Sequence, residues 1–266
     1  MLEAFEHASI LVLGSGTSTG VPMVGCRCKV CTSTDPHDRR LRPSVLLRLG
    51  EKRILIDTGP DFRYQALRYA IDRIDAVLYT HSHADHILGL DDLRPFNFMQ
   101  RGEIPFYASA PAMDVIVHTF HYVFEVKASE SSRPRLRPYI FQDEPIFPAG
   151  VEVLPIPVCH GKTTIHGFRF GDCAYFTDHS DIPPESMEKL YGLDVLFLDA
   201  LRYNPHPTHS TIEQSLKTVE TLKPRRAYFT HLSHDVLHEV VQSRLPANVY
   251  VAYDGLDIPI GRLDQI

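Results

Sequence analysis

The sequence predicts an α/β fold in which two β-sheets pack face to face with helices outside them. Two observations predict it. Short β-branched and aromatic runs recur in both halves of the chain, each set followed by helical stretches, which is the pattern of a layered sandwich rather than of one doubly wound sheet. The candidate metal-binding side chains also sit where those runs stop, so that several strand ends would converge on one edge and form a single crevice.

Taken in order, the strand runs are Ile10–Leu13, Ser44–Leu49, Arg53–Ile56, Ala76–Tyr79, Ile104–Tyr107, Val151–Ile156, Gly167–Phe170, Ala174–Phe176, Val195–Leu198, Ala227–Phe229 and Val249–Ala252. Helical stretches fall between them at 62–71, 90–99, 111–124, 184–191, 211–222 and 236–245. The best-signalled helix carries Ile212, Leu216, Val219 and Leu222 on one face, and Ser210 with Glu213 has the spacing of a capping box, which places its start just after His209. Residues 129–138, with Arg133, Arg135 and Arg137 among serines and prolines, read as a long polar loop with a solvated surface. No repeat, linker or low-complexity segment interrupts the pattern, so 1–266 is expected to be one domain.

Composition narrows the function classes. With 44% hydrophobic and 23% charged residues and a formal net charge of -6, the chain can build a sizeable core. The acidic balance argues against a nucleic-acid module that relies on a basic surface, although a local basic groove is compatible with it. No window approaches a membrane span, and the first residues lack the basic start and apolar stretch of a signal peptide, so a cytoplasmic location is expected.

The most informative segment is His81-Ser-His-Ala-Asp-His86, which follows the run Ile74–Thr80. A tight turn at the carboxyl end of a buried strand can aim His81, His83, Asp85 and His86 at one crevice. Neutral imidazoles with a carboxylate suit zinc, with manganese or iron as second choices. Other candidate ligands end strand runs: His160, Asp178 and His231. Asp57 and Asp199 also end apolar runs and read as carboxylates that orient ligand histidines.

Five cysteines are an odd number, and three of them lie in Cys26-Arg-Cys28-Lys-Val-Cys31, a poor layout for a disulfide framework. Three thiolates so close suggest metal, and a structural zinc asks for a fourth ligand, expected from a distant histidine. Cys159 and Cys173 lie in apolar runs and read as small core residues.

On these motifs the chain resembles the metallo-β-lactamase superfamily from Gly14 to about Asp257. That resemblance implies a four-layer αββα sandwich of two mixed β-sheets flanked by helices, with a dinuclear site at one edge. It implies that His81, His83 and His160 hold one ion, that Asp85, His86 and His231 hold the other, and that Asp178 bridges them. An aspartate rather than a cysteine at position 178 points away from β-lactams. Leu13-Gly-Ser-Gly-Thr-Ser-Thr-Gly20, the three cysteines and Thr230-His-Leu-Ser-His234 are similar to the cyclic phosphodiesterase subgroup of the carbon–phosphorus lyase pathway, and also to the transfer-RNA 3′-processing endonucleases. The resemblance implies a structural zinc on Cys26, Cys28, Cys31 and His234. No long inserted arm of the kind that grips a transfer RNA is present, which favours small substrates.

The resemblance further implies a hydrolase in which two zinc or manganese ions lower the pKa of a water to about 7 and orient it for attack on phosphorus. A histidine near a helix start protonates the leaving group in that subgroup. His209 matches that position, and His206 in the same Asn204-Pro-His-Pro-Thr-His209 segment reads as a surface residue. Arg63 reads either as a phosphate contact or as the salt-bridge partner of Asp61. A small phosphodiester is the expected partner, and the sequence leaves a homodimer open. The competing readings are a thioester hydrolase of the glyoxalase II kind, a non-hydrolytic cofactor-biosynthesis protein on the same fold, and a non-catalytic metal-binding scaffold.

Overall fold

The computed structural model describes residues 5, 7–125, 132–261 and 263. A seven-stranded sheet contains β1 (Ala8–Gly14), β2 (Ser44–Leu49), β3 (Lys52–Ile56), β4 (Ala76–Leu78), β5 (Ile104–Ser109), β6 (Leu136–Phe141) and β13 (Asp257–Pro259), in the order β13-β1-β2-β3-β4-β5-β6. A six-stranded sheet contains β7 (Leu154–His160), β8 (Thr163–Phe170), β9 (Cys173–Tyr175), β10 (Val195–Asp199), β11 (Arg226–Thr230) and β12 (Val249–Val251), in the order β12-β11-β10-β9-β8-β7. Both are mixed. β1, β2 and β3 pair antiparallel while β3 to β6 run parallel, and β7, β8 and β9 pair antiparallel while β9 to β12 run parallel.

The alternation of side chains along each strand sets the layers. Ile54, Ile56, Ala76 and Leu78 of one sheet meet Phe168, Phe170, Tyr175, Val195 and Phe197 of the other in the central core. The alternate residues face outward and are buried as well, which is why these strands read as continuous apolar runs. Leu55 and Val77 pack under α1 (Phe62–Arg68), α3 (Arg94–Gln100) and α4 (Ala110–Thr119) through Phe62, Phe96 and Ile116. Leu196 and Leu198 pack under α7 (Ile212–Leu222) and α8 (His238–Gln242) through Val219, Leu222 and Val241. The short helices α2 (Ala84–Ile87), α5 (His121–Phe124) and α6 (Pro184–Glu188) complete the set. The result is the expected αββα sandwich. No helix of the described residues is long and apolar enough to cross a membrane.

Several local expectations are corrected. Residues 129–131 of the expected polar loop lie outside the described residues, and Leu136–Pro138 begin strand β6 instead. This edge strand is largely exposed and so shows no buried alternation along the sequence. The three arginines are tied down at the surface: Arg133 donates to the Tyr122 carbonyl, Arg135 to that of Asn97, and Arg137 pairs with Glu103 at 3.1 Å. Strand β13 is too short to have shown a pattern. Strand β7 begins at Leu154, three residues later than expected, and runs on to His160. The capping box of α7 uses Thr211 and Gln214, not Ser210 and Glu213, because Ser210 is drawn into the active-site loop. Phe120 breaks the stretch 111–124 into α4 and α5. Cys173 lies in the central core, whereas Cys159 on the edge strand β7 is only partly buried.

Candidate metal centre

At one edge of the sandwich the strand ends turn sharply, and three of the turning residues adopt the left-handed conformation: Asp57 (φ 63°), Asp178 (φ 58°) and His231 (φ 59°). Non-glycine residues adopt this conformation at an energetic cost, and such strain clusters at functional sites. The His81–His86 turn passes so close to the turn after β3 that a Cβ on Gly59 would lie 2.1 Å from the Asp85 carbonyl oxygen. Glycine is the one residue that fits there.

These turns bring two groups of side chains together. His81, His83, His160 and Asp178 each offer one ligand atom within 4.8 Å of the others, and so do Asp85, His86, Asp178 and His231. All but the exposed His83 are buried. Asp178 belongs to both groups through different oxygens. Its Oδ1 faces His86 Nε2 at 3.3 Å and His231 Nε2 at 3.2 Å, and its Oδ2 lies 3.9 Å from His81 Nε2.

The donor chemistry fits metal ions. The inward atoms His81 Nε2, Asp85 Oδ2, His86 Nε2 and His231 Nε2 are buried and lack a hydrogen-bond partner, a costly arrangement that a bound cation would relieve. Burial, and then the neighbouring His86, hold the His81 pKa well below the ordinary imidazole range, which keeps a lone pair available. Burial opposes charge on His231, yet Asp178 and Asp199 outweigh it and draw its pKa up to about 9, a sign of concentrated negative potential.

Hydrogen bonds behind the imidazoles fix which nitrogen faces the crevice. His86 Nδ1 meets Asp57 Oδ2 at 2.7 Å, and Asp57 is itself held by the Thr80 N–H at 2.9 Å and the Thr80 hydroxyl at 2.8 Å. His160 Nδ1 donates to the Asp178 backbone carbonyl. The reading of Asp57 as an orienting carboxylate therefore has its geometry. Asp57→Asn, which tolerates the left-handed backbone, is expected to weaken metal affinity about 10- to 100-fold in a competitive chelator titration while the fold survives.

Asp199 stands behind two histidines, one of them the candidate ligand His231. Its Oδ2 meets His209 Nδ1 at 2.8 Å, and its Oδ1 is 3.7 Å from His231 Nδ1. It thus supports the candidate ligand His231, as expected, and holds His209 more closely. The His209 and His231 rings stack with centroids 4.8 Å apart, and the His160 ring lies 4.9 Å from His209. Asp61 pairs with Arg42 at 3.0 Å rather than with Arg63, whose exposed side chain lines an apolar cleft between α1 and α3.

A second cluster joins Cys26, Cys28, Cys31 and His234, whose ligand atoms also lie within 4.8 Å of one another. His234 Nδ1 is 3.4 Å from Cys26 Sγ and 3.5 Å from Cys28 Sγ. Ligand atoms around a tetrahedral zinc, with bonds of about 2.0–2.3 Å, are separated by roughly 3.5 Å, so the spacing fits. The Cys31 backbone N–H and then His234 lower the Cys28 pKa to about 6, which favours the thiolate a metal requires. No disulfide occurs, and all five cysteines are free.

Three residues couple this cluster to the first, and none of them carries a spacing signal. Arg40 is fully buried and donates to the Ser233 and Val236 carbonyls at 2.9 and 3.0 Å. Asp38 accepts from Arg40 at 3.0 Å and from the His238 N–H at 2.8 Å. Asp254 accepts from Ser15 and Leu41, which positions the loop that pairs with Leu232, next to His231. Asp38 and Arg40 lie in the charged run Asp35–Arg42, where nothing marks which charges are buried, so these could not have been found from sequence.

Residues 52–232 match the model of the β-lactamase superfamily domain. A curated relative named octanoyltransferase, from Porphyromonas gingivalis, is 43% identical over 251 residues, which are 93% of this chain and 50% of the relative. The chain spans about half the length of that relative. A solved structure described as a new diphosphatase from the PhnP family is 50% identical with a TM-score of 0.91, covering 97% of this chain and 100% of the other. Zinc-bound PqqB from Methylobacterium extorquens is 21% identical with a TM-score of 0.73, covering 94% and 99% respectively, a likeness of fold. Since the family model covers more than half of the chain and the sandwich carries its histidine-rich edge, the chain belongs to the β-lactamase superfamily and within it is PhnP-like.

Proposed function

We propose that this chain is a metal-dependent hydrolase that cleaves a small cyclic or nucleotide-like phosphodiester. The observation that carries the reading is the Asp178 carboxylate between two sets of ligand atoms, with the His209–Asp199 pair beside them. In this reading His81, His83 and His160 hold one ion, Asp85, His86 and His231 hold a second, and Asp178 touches both. Zinc or manganese suits the site, and a structural zinc suits Cys26, Cys28, Cys31 and His234. When bound, a pair of ions supplies Lewis-acid chemistry, lowering the pKa of a water to about 7 and taking up charge on phosphate oxygens.

The chain's own residues do the rest. With Nδ1 held by Asp199, His209 presents Nε2 to the crevice and delivers a proton from it to the leaving oxygen, while the Asp199 carboxylate fixes the ring's orientation. This pair also favours a phosphodiester over a thioester. An alkoxide needs a proton in order to leave, whereas a thiolate, whose acid has a pKa of about 8.5, does not. The likeness to a diphosphatase of the PhnP family supports the same reading. The likeness to an octanoyltransferase covers half of that protein and leaves its acyl transfer with either half.

Elemental analysis of wild type and Cys28→Ser, paired with hydrolysis of bis(p-nitrophenyl) phosphate with and without chelator, tests the reading. About three ions per chain falling to two is expected, with turnover abolished by chelator. The variant is expected to lose several °C of Tm, since each kcal/mol of lost metal-linked stability moves Tm by about 2–4 °C at this chain size. Metal without turnover on any phosphodiester would overturn the reading, and two ions unchanged by the substitution would remove the cysteine site.

A further inference from the structure

The segment between β10 and α7 contributes a second histidine that the reading above leaves unused. His206 sits between Pro205 and Pro207, half-buried, with its ring centroid 4.9 Å from that of His209. Prolines on both sides restrict the backbone before folding, so little entropy is lost in holding the imidazole in place. The segment is also seated tightly. At Gly161, directly after His160, a Cβ would lie 2.9 Å from Thr208 Cγ2, so the chain carrying His206 lies directly over the turn that carries a ligand histidine.

The hydrogen bonds settle the tautomer. His206 Nδ1 faces the Thr208 N–H at 3.4 Å and the Thr208 hydroxyl at 3.2 Å. A backbone N–H can only donate, so Nδ1 is the acceptor, and the neutral ring carries its proton on Nε2. Burial, and then the neighbouring His209, keep the His206 pKa below the ordinary range, which preserves that neutral form. His206 therefore offers one N–H donor, on the nitrogen turned away from its own loop, beside the residue that protonates the leaving oxygen.

We infer that His206 is a specificity-determining residue whose Nε2–H donates to an oxygen of the leaving group one position beyond the scissile bond. The inference rests on the phosphodiesterase reading. The acceptor is a sugar hydroxyl or an oxygen of a second phosphate, since each presents a lone pair at about that distance from the bond that breaks.

The test compares wild type, His206→Ala and His206→Gln on three substrates: bis(p-nitrophenyl) phosphate, a 3′,5′-cyclic ribonucleotide, whose free 2′-hydroxyl neighbours the 3′-oxygen that leaves, and a nucleoside diphosphate sugar. Gln can return an N–H close to the place of Nε2. His206→Ala is expected to lower kcat/KM about 10-fold or more on the substrates that carry the acceptor, the size of one lost hydrogen bond, and less than about 2-fold on the nitrophenyl ester. His206→Gln is expected to recover most of that loss, and the substrate that suffers more identifies the acceptor. Equal losses on all three, no loss on any, or a fall in metal content or Tm in His206→Ala would overturn the inference. Absence of wild-type turnover on all three would overturn the phosphodiesterase reading and this inference with it, whereas wild-type turnover with an unaffected variant removes the inference alone.

Discussion

Asp178→Asn is expected to lower phosphodiester turnover by at least about 10³-fold, well beyond the roughly 10- to 100-fold that loss of an outer hydrogen-bond partner costs. The size follows from the position of the carboxylate. Its two oxygens face different groups of imidazoles, so one substitution removes a charge from both halves of the site at once. Asn is the informative replacement because residue 178 has φ 58°, a conformation that Asn tolerates and Ala resists. Loss of activity in Asp178→Asn therefore reports charge and coordination rather than backbone strain. Metal content should fall together with turnover while far-ultraviolet dichroism is retained. Activity near the wild-type level would remove the paired-site mechanism.

His209→Ala is expected to slow hydrolysis of diesters with alkyl leaving groups by about 10²- to 10⁴-fold, and nitrophenyl esters by only a few fold. The distinction arises because nitrophenolate departs without a proton and an alkoxide does not. Asp199→Asn should show the same leaving-group dependence in weaker form, because it disturbs the hydrogen bond at Nδ1 that fixes which His209 nitrogen can reach the leaving oxygen. Equal losses on both classes of ester would assign His209 a binding role. Together with the substitutions at His206, which are expected to respond to an acceptor on the leaving group rather than to its basicity, these variants separate proton delivery from recognition.

Much of this architecture was legible in the residues. Runs such as Val195–Leu198 and Ala76–Tyr79 announce strands buried on both faces, and both sheets alternate inward and outward residues as such runs require. The grouping of the histidines and aspartates was legible for a related reason: each candidate ends or directly follows a strand run, and those ends meet at one edge of the sandwich. The edges were less legible. Strand β6 shows no buried alternation because Arg137 to Ile140 are all exposed at the sheet edge, and β13 spans three residues, too few for periodicity. The start of α7 was misplaced by one residue because Ser210, which has the right chemistry for a cap, is instead bonded to His179.

Residue identity and spacing are local properties. They fix which side chains can bind a metal, which strands are buried on both faces, and that three cysteines need a distant partner. The partners themselves depend on contacts between segments far apart in the chain. Asp199 spans His209 and His231, and Asp61 pairs with Arg42 rather than with Arg63. Arg40 reaches across the fold to hold the segment carrying His231 and His234. Hydrogen bonds act over about 3 Å, so their partners are set by how the sheets and loops come to rest against one another, and no spacing rule along the chain encodes that distance.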